Sequence, residues 1–143
     1  MSETTNNTEF AGFEYLDLNT IDPTNSLPAG FYNLKVLGAQ MLPHVNGPNS
    51  KEPGKNTTKI QFKFTVVDGE KAGRVITSTI FESIVAGVSL RKLADATGVA
   101  QNPGEAFASW LDRVIDVAPD FRVMIKQTDR GNDVDYRTAQ PNV

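Results

Sequence analysis

The chain has 143 residues, no cysteine and one histidine, with 39% hydrophobic and 22% charged residues. That composition describes one ordinary domain and excludes disulfides, thiolate zinc sites, iron–sulfur clusters, cysteine nucleophiles and multi-histidine metal centres. The net charge of −3 is unevenly spread: residues 1–27 hold five acids and no Lys or Arg, which leaves 14 bases against 12 acids in the remainder.

Residues 1–9 are polar and aperiodic, which predicts disorder. They contain no apolar signal core, and no apolar run reaches 18 residues, so neither secretion nor a membrane span is expected. An intracellular compartment is the simplest expectation. Residues 1–26 are read as a flexible acidic segment, interrupted by an apolar cluster at Phe10, Phe13, Tyr15, Leu16 and Leu18. Pro23, Asn25, Ser26, Pro28 and Gly30 punctuate a turn, and a single domain is expected over 27–139.

Phe31 to Met41 reads as a strand, with Tyr32, Leu34 and Val36 on one face and Asn33 and Lys35 on the other. Residues 42–58 contain three prolines and two glycines and are expected to form a long loop, with Lys51 and Lys55 near its tip. Lys59 to Val67 is the clearest strand. Ile60, Phe62, Phe64 and Val66 alternate with Lys59, Gln61, Lys63 and Thr65. Asp68-Gly69 and Gly73 mark a hairpin turn, and the β-branched stretch from Arg74 to Phe81 is its return strand.

Two helices are predicted next. The first spans Ile84 to Thr97 and stops at Gly98, a natural residue for the position after a helix. The second opens at Asn102-Pro103-Gly104-Glu105, where Asn caps, Pro suits the first turn and Glu completes a capping-box pattern. Phe107, Trp110, Leu111, Val114 and Ile115 form its buried stripe. Phe121 to Thr128 then reads as a strand with Arg122 and Lys126 outward. A turn at Asp129-Arg130-Gly131-Asn132 leads to a short last strand, Val134 to Thr138, and residues 140–143 are expected to be a loose tail.

The predicted class is mainly β. Five strands with a helical connection of two short helices between the third and fourth give the element order of the OB-fold, a partly open Greek-key barrel. A split β-sandwich, or a sheet covered by a helix pair, would give the same string.

Little in the chain points to catalysis. His44 is isolated in the predicted loop, no serine sits in a G-x-S-x-G elbow, and the Asp68 to Arg74 stretch lacks Walker spacing. Asp133 and Asp135 would share a strand face and could hold Mg²⁺, but no third acid has a fitting spacing. Neither a metal nor another cofactor is expected. Binding of single-stranded nucleic acid has more support, because it needs a positive groove and aromatic faces. Lys35, Lys59, Lys63, Arg122 and Lys126 are predicted to face outward. Lys51 and Lys55 would close over a strand from the loop, and Arg74 and Arg137 would extend the path. The stacking candidates are Phe31, Tyr32, Phe81 and Tyr136, which lie at strand ends or on ambiguous faces. Tyr32 could equally be core. Phe62, Phe64, Phe107, Trp110 and Phe121 fall on apolar stripes and are assigned to packing.

Leu27-Pro28-Ala29-Gly30-Phe31-Tyr32 opens the first strand. Lys59-Ile60-Gln61-Phe62-Lys63-Phe64-Thr65-Val66 is followed by Asp68-Gly69 and Gly73-Arg74-Val75-Ile76. With the helix ending at Gly98 and a late strand before a turn, this arrangement resembles small phage-encoded single-stranded DNA-binding proteins of OB-fold type, over residues 27–138. The resemblance implies coating of single strands in phage DNA replication, recombination or repair, in the host cytoplasm. Many such proteins carry an acidic C-terminal tail. This chain ends without acids, and its acidic, aromatic segment (Glu9 to Tyr15) is N-terminal. That segment is expected to recruit replication or recombination proteins, to pack on a second subunit, or simply to cover a barrel edge. A homodimer is a further expectation, since one OB-fold often needs help to reach useful affinity. The competing reading is a small β-rich virion protein of the tail or head-completion kind, and a nuclease using Asp133 and Asp135 is a third.

Overall fold

Alternation decides the second strand of the chain. In Asn56–Val66, residues Ile60, Phe62, Phe64 and Val66 are buried, and the residues between them turn away from the core. A computed structural model describes residues 16–20 and 26–142 and sets this strand among five. A short 3₁₀ turn at Leu18–Thr20 precedes them. The elements are β1 (Gly30–Val45), β2 (Asn56–Val66), β3 (Val75–Phe81), α1 (Ile84–Thr97), α2 (Phe107–Val117), β4 (Phe121–Thr128) and β5 (Gly131–Pro141). They form one antiparallel sheet in the order β3-β2-β1-β4-β5. The protein is mainly β, with both helices in the connection between β3 and β4 as expected.

β1 serves two partners. Gly30 to Leu34 pair with β4, and Leu34 to Val45 pair with β2. The register slips between Val36 and Gly38, so Leu37 is an extra residue that bulges the strand. The inward faces of all five strands share one buried cluster with Leu93 and Ala96 of α1 and Trp110, Leu111 and Val114 of α2; α1 lies mainly against β5, and α2 against β1. Phe64 is central. Its ring stacks on Phe62 at 5.4 Å and meets the edge of Phe121 at 5.6 Å, geometries that aromatic quadrupoles favour. The Trp110 indole N–H donates to the Val99 carbonyl at 2.7 Å, so no buried donor is wasted. Leu27 is buried, and the Asn132 side chain accepts from its N–H and donates to its carbonyl, which fastens the incoming chain to β5.

The sheet is curled but not closed into a barrel. Its edge strands β3 and β5 meet through side chains, with the Ser78 and Tyr136 hydroxyls 2.7 Å apart. A tyrosine side chain lying across the seam holds the two backbones farther apart than the roughly 4.8 Å of a hydrogen-bonded ladder.

Several boundaries differ from the sequence reading. The long loop shrinks to residues 46–55, because β1 continues to Val45 and β2 begins at Asn56. Pro43 is tolerated in a strand because β4 stops at Leu34, leaving that part of β1 without a neighbour on its other side. The second helix starts at Phe107, not at Pro103. Gly104 is left-handed (φ 77°), so residues 102–105 form a separate turn. Inside it the Glu105 carboxylate accepts the Asn102 N–H, half of the anticipated capping box. The last strand is longer than expected and pairs through Pro141, opposite Phe121, so residues 140 and 141 belong to the sheet. The first helix begins and ends where the sequence places it. Ser83 caps it by accepting the Ala86 N–H, and Gly98 ends it at φ 76°. Of the N-terminal segment, residues 1–15 and 21–25 lie outside the described residues, as does Val143.

Candidate nucleic-acid interface

Because inward positions of β2 are apolar, its outward positions are free for chemistry. Lys59, Gln61, Lys63 and Thr65 form the outer row. The register extends it across both neighbours. Lys35 of β1 lies opposite Thr65, Lys63 opposite Gly38 and Thr77, and Lys59 opposite Leu42 and Phe81. Lys35, Lys59 and Lys63 thus occupy one surface of two adjacent strands. Among the described residues none of the three forms an ion pair. Lys59 and Lys63 are about 13 Å apart along the strand.

Phe81 closes this surface at the end of β3. It is 50% exposed, and its ring packs on His44 at 4.8 Å. His44 is therefore not a loop residue as expected but a β1 residue opposite Thr57. Gln40 and Gln61, also paired across β1 and β2, lie on the same surface. Arg74 immediately precedes β3, at the mouth of the β2–β3 turn, where its backbone carbonyl accepts the Val66 N–H. Lys51 and Lys55 both lie in the 46–55 connection. Lys55 is ion-paired with Glu52 at 3.2 Å, and Lys51 makes no ion pair among the described residues.

A second group lies where β1 meets β4. Phe31 is 42% exposed, and the Arg122 guanidinium sits 5.2 Å from its ring centroid in a cation–π arrangement. Lys126 is on the same strand as Arg122 but is tied to Asp135 at 3.4 Å, and Arg137 joins the same carboxylate at 3.2 Å. Arg137 first, and then Lys126, hold the Asp135 carboxyl below its ordinary range. The single Asp135 carboxylate offsets one of the two positive charges expected from Lys126 and Arg137. This pairing also occupies one half of the weighed Asp133–Asp135 metal pair. Among the described residues no group of three or more metal-binding side chains occurs.

Two of the four stacking candidates are corrected. Tyr136 is 7% exposed and packs at 6.3 Å from Phe64, with its hydroxyl bonded to Ser78. Burial raises the hydroxyl's pKa above its ordinary value. It is a core residue because it shares the inward face of β5 with Val134. Tyr32 is half-buried against the core and donates its hydroxyl to the Pro28 carbonyl at 2.7 Å. Phe31 and Phe81 are left as exposed rings. The structure thus brings Lys35, Lys59, Lys63 and Phe81 together, places Phe31 with Arg122 beside them, and sets Lys126 apart.

No helix among the described residues is long and apolar enough to cross a membrane. Neither the known protein families nor the curated proteins contain a match to this chain.

Proposed function

We propose that the chain binds single-stranded nucleic acid, with little regard to sequence, on the outer surface of β1, β2 and β3. The observation that carries this reading is the set of three outward lysines, Lys35, Lys59 and Lys63, that have no ion-pair partner among the described residues and are bordered by the exposed Phe81 ring. Lysines left without carboxylates are ready to exchange counterions for phosphates. Exposed aromatic rings beside them offer faces on which bases stack. Phosphates would follow the lysines, and bases would stack on Phe81, which packs on His44, and on Phe31, which packs on Arg122.

The fold reading that goes with this function is an OB-fold left open between β3 and β5. Its support is the strand order β3-β2-β1-β4-β5, with the helices between β3 and β4 and a first strand shared by two partners. In that fold the face of strands 2 and 3 and the flanking loops bind oligonucleotides. By its resemblance to phage single-stranded DNA-binding proteins, the chain would work in replication, recombination or repair in the host cytoplasm, on DNA.

The test is fluorescence-anisotropy titration of labelled oligo(dT) and of a duplex of equal length, at several salt concentrations. Preferential, salt-sensitive binding of the single strand is expected. Lys59→Glu with Lys63→Glu should weaken it and lower the salt slope by about 1.4, since each single-strand phosphate contact contributes about 0.7. Absence of binding at low salt would remove this reading and leave the virion-protein alternative.

A further inference from the structure

The bulge in β1 does more than bend the strand. It sets Gly38 opposite Lys63 on the outer surface, so the place a side chain would fill is vacant. A Cβ built on Gly38 meets nothing within 4 Å, and its backbone is not in the left-handed region. Neither strain nor crowding explains the glycine. What lies over it is a hollow of about 310 Å³, lined by Gly38, Ala39, Gln40, Gln61 and Lys63.

The polar side chains of this hollow have no hydrogen-bond or ion-pair partner among the described residues. Gln40 and Gln61 face each other across the two strands, and neither amide makes a hydrogen bond to the described residues. Each amide carries an acceptor beside two donors. That pattern matches the edge of adenine, where an amino group lies next to a ring nitrogen, and glutamine is a bidentate partner of adenine for this reason. Lys63 stands at the rim, where a phosphate of the same nucleotide would pass. Leu37, the extra residue of the bulge, is 52% exposed beside it. A smooth stacking platform would be tolerant of every base. A vacant floor walled by two free amides is not.

We infer that the Gly38 hollow is a nucleobase subsite in which the Gln40 and Gln61 amides read one base edge and favour adenine. The inference rests on the nucleic-acid reading above and adds to it a single position of base preference on an otherwise tolerant surface.

The experiment compares three labelled oligonucleotides of one length: all thymidine, thymidine with one central adenosine, and thymidine with one central abasic site. Wild-type protein should bind the adenosine oligonucleotide about fivefold or more tightly than the all-thymidine one, and the abasic one no better than thymidine. Gln40→Ala with Gln61→Ala should bring the adenosine-to-thymidine ratio to one. Gly38→Val, which puts a branched side chain on the floor of the hollow and keeps both amides, should do the same, and its unfolding transition reports that it folds. A ratio of one in the wild type, or a ratio that survives both variants, overturns the subsite and leaves the binding surface standing. Failure of all three oligonucleotides to bind overturns both.

Discussion

Tyr136 and Ser78 form the polar contact between the two sheet edges, and it is buried. Removing one partner strands the other without water. Tyr136→Phe should therefore cost about 1–2 kcal/mol in urea unfolding, and adding Ser78→Ala should recover part of the loss. The inward placement of Tyr136 was legible in the sequence, because strict alternation from Val134 puts it on the core side, opposite Asp135 and Arg137. The Lys126–Asp135 pair was not legible, since it depends on how β4 and β5 align. Glu105 offers a pH-dependent prediction. Two hydrogen bonds from Arg113, at 2.6 and 2.8 Å, and one from the Asn102 N–H lower its pKa from 4.5 to about 2. Its folded pKa lies below its unfolded one, so its stabilisation is present above pH 4.5 and fades as pH falls towards 2. Glu105→Gln should be less stable than wild type at neutral pH. Thermal melts should show the gap narrowing across that acid window.

The two helices end in the same backbone conformation with different residues. Gly98 and Ala118 are both left-handed and each donates its N–H to a carbonyl four residues back, at 2.9 and 2.8 Å. A glycine adopts that conformation freely, and an alanine does so at a cost. Ala118→Gly is expected to stabilise the protein by about 0.5–1 kcal/mol in denaturant titration. Gly98 shows why the end of α1 was readable: its residue type names the cap. The start of α2 was misread because Asn102 and Glu105 carry capping chemistry but spend it on a turn of their own. Strand cores were readable by period two. The bulge at Leu37 was not, since nothing local to Val36-Leu37-Gly38 shows that two residues will face one. That single slip decides which residues of β1 join the outer lysines, and it brought in Gly38, Gln40 and His44 unannounced.

Across the whole molecule, the order of elements was legible and the closure was not. Alternation, turns and caps are local and appear in the sequence. Whether β3 and β5 join by a ladder or by a side chain depends on residues brought together from distant parts of the chain. The split of the positive charge has the same origin. Lys59 and Lys63 share a strand and could be grouped by counting, whereas Lys126 joins a different neighbourhood because β4 touches only the first part of β1.

Leu34 is the one β1 residue paired on both sides, with Val66 of β2 and Phe121 of β4. It divides the assembly into a meander, β1-β2-β3, and a hairpin, β4-β5, each made of neighbours in sequence. Joining them requires the start of β1 to find β4 across most of the domain, from Gly30 to Ile125. Order of events follows from that geometry. The two local pieces can form early, and the closing search is entropically expensive before any contact rewards it. The folding barrier is expected to lie at this step. In stopped-flow chevrons, Val123→Ala, which thins the buried side of β4 where it meets Tyr32, should slow refolding more than it speeds unfolding. The opposite partition would place the joining of the halves after the barrier.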